Sequence, residues 1–107
     1  MIDIAALKLL CCDKNIAVTK HAKNRLVERK ISILDIISVI KHGEIIKQYE
    51  DDRPLPSCLI LGSDINGKKC HVVVSHDDDY IYLITAYYPD EKIWSKDLKT
   101  RKENALI

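Results

Sequence analysis

The apolar positions of the chain change period once. Up to Ile40 they recur every three to four residues, and from Glu44 onward they alternate, so a helical half precedes a strand half. Ile2 to Cys12 reads as a short first helix with Ala5, Leu9 and Cys12 at helical spacing, broken by Asp13-Lys14-Asn15. Thr19 is placed to cap a second helix running to about Lys30, with Ala22 and Leu26 pointing inward one turn apart. Ser32-Ile33-Leu34-Asp35 is a capping box with Asp in the place of Glu, and it opens a third helix whose apolar stripe is Ile33, Ile36, Ile37 and Ile40. Gly43 ends that helix, as expected of a left-handed C-terminal cap.

Four strands follow. Glu44 to Tyr49 is the first, and a stiff turn region ending in Pro54-Leu55-Pro56-Ser57 leads to the second, Cys58 to Gly62. Asn66-Gly67 marks a hairpin turn before the third, Lys69 to Ser75. Asp77-Asp78-Asp79 turns into the fourth, Tyr80 to Tyr88, which Pro89-Asp90 stops. The run from about Ser95 to Asn104 is compatible with a short C-terminal helix. The expected fold class is α+β, with N-terminal helices packed on one face of a four-stranded antiparallel meander.

A chain of 107 residues is expected to form a single domain, 1–107, and to bury roughly two-thirds of its unfolded surface without a disulfide or metal staple. Its formal net charge of +1 argues against a coat protein that binds nucleic acid nonspecifically. The charges are nevertheless local. Lys20, Lys23, Arg25, Arg29 and Lys30 cluster in the second helix, and Lys92, Lys96, Lys99, Arg101 and Lys102 near the C-terminus. Each cluster is either a solvated face or a phosphate-binding surface. Cys11, Cys12, Cys58 and Cys70 form no C-x-x-C pair, which points to free thiols and a reducing compartment. With no signal peptide and no apolar run of membrane-spanning length, a cytoplasmic location is expected.

Two groups of residues are candidates for chemistry. His71 lies inside the β-branched run Lys69-Cys70-His71-Val72-Val73-Val74, where a polar side chain needs a partner or a solvated face. Closing the hairpin at Asp77-Asp78-Asp79 sets His71 opposite Thr85 with Tyr87 diagonal, a polar cluster at one end of the sheet. The other group is the helical stripe His21, Arg25 and Arg29, whose arginines offer a fork to phosphate. RNA cleavage without metal needs a base for the 2′-hydroxyl, an acid for the leaving oxygen and a cation for the phosphorane. His, Tyr and Arg on a sheet flanked by a helix supply all three. Trp94 and Tyr87-Tyr88 either stack bases or pack a terminal helix on the core. A metal site built from His21, His71, His76 and the acidic turn has no recognisable ligand spacing.

An ordered series of motifs adds to this reading. Thr19-Lys20-His21-Ala22, Arg25, Glu28-Arg29, Ile31-Ser32, Asp35 and Gly43-Glu44-Ile45-Ile46 are followed by Tyr49, Asp52, Pro54 and Pro56-Ser57. Leu59, Leu61-Gly62, His71-Val72-Val73, Ile84-Thr85-Ala86-Tyr87, Pro89-Asp90, Trp94 and Arg101-Lys102 complete it. This series, over residues 19 to 102, resembles a small bacterial family of unknown function that is similar to RelE- and MqsR-like toxins of the barnase–EndoU–colicin–RelE fold group. The resemblance implies an RNA-cleaving toxin that needs no cofactor and is neutralised by an antitoxin-like protein partner. By position it points to His21, Arg25, His71, Thr85 and Tyr87 as catalytic and to Tyr49 and Arg101 as substrate-binding, to which the helical stripe adds Arg29. The competing expectation is a non-catalytic module that docks protein or RNA on the same face.

Overall fold

The computed structural model describes residues 1–102. The elements are α1 (Ile4–Leu10), a 3-10 turn (Asp13–Asn15), β1 (Ile16–Val18), α2 (Lys20–Arg29), α3 (Ile33–His42), β2 (Glu44–Tyr49), β3 (Ser57–Ser63), β4 (Lys69–His76) and β5 (Ile81–Tyr87). The α+β class and the order of helices before strands are as expected. The sheet, however, is mixed and has five strands, in the order β1-β5-β4-β3-β2. β2 to β5 form the antiparallel meander, and β1 adds a parallel edge beside Ile81–Leu83. Ile16-Ala17-Val18 is too short to show a period of its own, and its partner lies far along the chain.

Local chemistry sets the helix ends. Thr19 Oγ1 accepts the Ala22 N–H at 3.1 Å, and Lys30 closes α2 in the left-handed region, with φ 58°. Both halves of the capping box at α3 are made: the Asp35 N–H donates to Ser32 Oγ at 3.2 Å, and the Ser32 N–H donates to Asp35 Oδ2 at 2.8 Å. The other carboxylate oxygen of this buried Asp35 accepts the Ile65 N–H at 3.1 Å. One residue thereby starts α3 and fastens it to the β3–β4 loop.

Two expectations at helix ends are corrected. The first helix is shorter than Ile2–Cys12, because Asp3 caps it and Cys11 leaves it. Its inward residue is Leu7, flanked by buried Ile2 and Cys11, while Leu9 is 89% exposed. Gly43 is not left-handed; its φ and ψ are −92° and −174°. What excludes a side chain there is contact. A Cβ on Gly43 would lie 2.3 Å from the Val39 carbonyl oxygen and 2.6 Å from that of Leu61.

The core lies between the helices and one face of the sheet. Ile36, Val39 and Ile40 of α3 and Leu26 of α2 are buried with Cys58, Ile60, Cys70, Val72, Val74, Ile81, Leu83 and Ala86. α3 covers β3 and β4, and α2 covers β5. The opposite face carries the alternate positions, among them Tyr49, Leu59, His71, Thr85 and Tyr87. The expected register of the last hairpin is also corrected. A bulge between Val73 and Val74 makes Ile84 an extra residue, so His71 pairs with Tyr87, and Thr85 with Val73. Leu83 and Ala86 both stay in the core as a result, while Ile84 is 46% exposed.

The expected helix from Ser95 to Asn104 does not form over residues 95–102, and 103–104 lie outside the described residues. Residues 90–102 instead make a strap of successive turns, closed by a bridge between Trp94 and Arg101. Ser95 Oγ donates to Asp97, whose carboxylate also accepts the Lys99 N–H at 3.0 Å, and Leu98 adopts φ 64°. Such side chain–backbone bonds compete with helix. The Lys99 ammonium contacts Glu44 of β2 at 2.7 Å and ties the strap across the sheet. Among the described residues, no helix is long and apolar enough to cross a membrane.

Candidate active site on the open sheet face

The strap covers the face of the sheet that the helices leave open, and His71 lies beneath it, fully buried. Burial demands partners for both ring nitrogens, and both have them. Nε2 is 2.7 Å from the Leu98 carbonyl oxygen. A carbonyl only accepts, so in the neutral ring Nε2 carries the hydrogen and Nδ1 presents its lone pair. The Tyr87 hydroxyl, 3.3 Å from Nδ1, donates to it. Trp94 and Tyr87 meet the imidazole edge-on, with ring centroids 4.4 Å and 5.3 Å away. Desolvation holds the His71 pKa below the ordinary histidine value of 6.5, and the Leu98 hydrogen bond offsets this only in part.

This shift has a sign that can be tested. As pH falls through 6.5, the unfolded chain takes a proton that native His71 refuses. Stability is therefore full above that value and declines as pH falls, until the native ring also protonates. Urea unfolding of the wild type and of His71→Gln at pH 7.5 and 5.5 should show the variant losing less stability than the wild type on acidification.

Tyr87 also faces outward, into a cavity of about 380 Å³ lined by Lys47, Tyr49, Leu59, Tyr87, Trp94, Lys99, Thr100 and Arg101. Lys47 and Tyr49 stand two apart on β2, on the same face, with the Lys47 ammonium 5.5 Å from the Tyr49 ring centroid. Burial raises the pKa of both tyrosines, so both hydroxyls keep their protons at neutral pH. Lys99 is paired with Glu44. Among the described residues, neither the Arg101 guanidinium nor the Lys47 ammonium has an ion pair or a hydrogen bond, which leaves both cations of the cavity free to meet an anion.

Arg29 approaches from the helix side. It donates to Thr85 Oγ1 at 3.1 Å and to the Ala86 carbonyl at 2.8 Å, on the part of β5 beyond the end of β1. Arg29 and Thr85 are thus brought together, as are His71 and Tyr87, while Tyr49, Tyr87 and Arg101 share the cavity. His21 and Arg25 are not brought to it. Both are exposed on α2, and the Arg25 guanidinium is spent on Glu28 at 3.4 Å. His21 lies two turns from Arg29, about 12 Å along the helix axis. Lys47 had a legible signal, its i, i+2 spacing to Tyr49 on a strand. The position of Arg101 had none, because it depends on the turns of the strap.

Residues 18–88 match the model of a family described as a domain of unknown function (DUF4258). The chain belongs to this family. No curated protein and no solved structure matches the chain. The DUF4258 match runs from the end of β1 to the residue after β5. It takes in His71, Tyr87, Tyr49 and Lys47, and it stops short of the strap that carries Trp94, Leu98 and Arg101.

Other chemistries find little support in this DUF4258 domain. The cysteines are free thiols. Burial pushes Cys58 up to about 11 and Cys70 up to about 12, far from a thiolate nucleophile at neutral pH. Among the described residues, no three His, Cys, Asp or Glu side chains stand together as a metal-binding group.

Proposed function

We propose that the chain is a metal-independent endoribonuclease of the RelE/MqsR-like toxin kind, cutting RNA by attack of a 2′-hydroxyl on the adjacent phosphate. The observation that carries this reading is one cavity lined by Arg101 and Lys47, neither of which has an ion pair among the described residues, together with Tyr49 and Tyr87. Two cations lining one cavity suit a phosphodiester and the extra negative charge of its phosphorane. The two phenols suit the proton transfers at the attacking and leaving oxygens. Trp94 and the tyrosine rings give flanking bases apolar surface. Arg29 holds Thr85 and the end of β5, and so the strand that presents Tyr87. His21 and Arg25 take no part in bond breaking in this reading. The partners it implies are an RNA substrate and an antitoxin-like protein that neutralises the activity.

Purified protein should cut single-stranded RNA in excess chelator, leaving a 2′,3′-cyclic phosphate on one product and a 5′-hydroxyl on the other. Intact RNA across oligonucleotides of varied sequence would refute the reading. One observation favours a non-catalytic protein- or RNA-binding module instead. Both nitrogens of His71 are satisfied inside the fold, as in a histidine that locks a strap in place. Saturable RNA binding without cleavage would select that alternative.

A further inference from the structure

We infer that His71 never meets the substrate, and that Tyr87 is the group that touches the attacking hydroxyl and passes its proton inward to His71. The inference rests on the ribonuclease reading and deepens it. Its basis is geometry. His71 is fully buried, so no ribose reaches it without removal of the strap. Tyr87 is half-buried, meets the His71 ring edge-on and also lines the cavity, which His71 does not. The Leu98 carbonyl, 2.7 Å from Nε2, leaves Nδ1 as the accepting nitrogen, and the Tyr87 hydroxyl occupies it at 3.3 Å. The resting dyad is thus set to take a proton from the cavity side through the phenol to the imidazole.

The step balances as follows. The 2′-O–H bond breaks and its proton goes to the Tyr87 oxygen. The phenol's own proton moves to His71 Nδ1, so Tyr87 stays neutral and His71 becomes imidazolium. The electron pair of the 2′-oxygen forms the new bond to phosphorus, and the bond from phosphorus to the 5′-oxygen breaks. The leaving oxygen takes a proton from the Tyr49 phenol. Solvent then reprotonates Tyr49, and His71 returns its proton outward through Tyr87. The imidazolium keeps its Nε2–H bond to Leu98, which favours the charged ring. The groups that bear on the dyad's charge are Tyr49 from β2, Cys70 from β4, Arg29 from α2 and Arg101 from the strap. His71 is in this scheme a positioning and proton-holding residue, and Tyr87 the catalytic one.

The test compares wild type, Tyr87→Phe and His71→Gln. Gln keeps an amide donor for Leu98 but holds no proton. Single-turnover cleavage of a labelled RNA oligonucleotide is followed from pH 4.5 to 8. The expected result is a loss of at least 100-fold in Tyr87→Phe. His71→Gln should lose about 10- to 100-fold, and should also lose the acidic limb of the wild-type profile, which titrates below 6.5. An acidic limb that persists in folded His71→Gln overturns the inference, as does wild-type cleavage by Tyr87→Phe. A separate arm needs no RNA and covers a His71 variant that fails to fold. Nitrogen-15 spectra of the wild type should show the His71 Nε2–H tautomer, with an Nδ1 resonance that moves in Tyr87→Phe. The Nδ1–H tautomer overturns the inference by itself. Uncut RNA with the dyad intact overturns the ribonuclease reading, and the relay with it, whereas cleavage independent of Tyr87 overturns the relay alone.

Discussion

Arg101→Ala should lower the single-turnover rate of RNA cleavage by about 100- to 1,000-fold while leaving the melting temperature within a degree or two. The scale is that of removing one preorganised donor aimed at developing negative charge. The small effect on stability follows from the guanidinium's lack of partners: Arg101 joins the strap through its backbone bridge to Trp94, which alanine can also make. Arg101→Lys should recover only part of the rate, since an ammonium is a point charge without the fork that spans two phosphate oxygens. A parallel fall in rate and in rate over KM would place the contact in the transition state rather than in ground-state binding. A variant rate within threefold of wild type would remove Arg101 from the site.

The largest effect on stability should come from Gly43→Ala, a loss of about 3 kcal/mol, or roughly 15 °C in melting temperature for a chain of this size. An added methyl would overlap the carbonyl oxygens of Val39 and Leu61 at 2.3 Å and 2.6 Å, and both are backbone atoms that no rotamer change moves aside. Gly62 faces the same turn of α3: a Cβ there would sit 2.9 Å from both the Cα and the carbonyl oxygen of Val39. The two glycines let the end of α3 lie directly on β3. Urea denaturation measures the effect, and a change below 1 kcal/mol would show that the contact relaxes cheaply.

Gly43 also shows where sequence reading stops. Its place at a helix end was legible, but the reason for it was not, since a side chain there is excluded by the Val39 carbonyl one turn back together with the Leu61 carbonyl of a strand almost twenty residues further on. Features that depend on neighbours a few positions away were legible: the Thr19 cap, the capping box of Ser32 and Asp35, and the alternation in β2 to β5. Features set by distant contacts were not. β1 shows itself only as the partner of Ile81–Leu83, and the bulge at Ile84 exists because Leu83 and Ala86 must both face the helices. The turn register, with His76 opposite Ile81, and that bulge each contributed one residue to moving the partner of His71 from Thr85 to Tyr87. The candidate site followed the same division. His71, Tyr87 and Tyr49 could be picked from strand pattern and resemblance, but the cavity that Tyr87 and Tyr49 share with Arg101 depends on a strap folded by turns around Asp97 and Leu98.

The contact between Arg29 and β5 has a consequence of another kind. β1 ends after three residues, so the stretch of β5 at Thr85 and Ala86 lacks a strand partner on that side. Bare strand backbone invites pairing with a second chain, and from there aggregation. Arg29 occupies that stretch with two hydrogen bonds and sets a positive charge beside it. An arginine that reads in sequence as one rung of a phosphate-binding stripe therefore also acts as a stopper, and it helps keep the chain dispersed at high concentration.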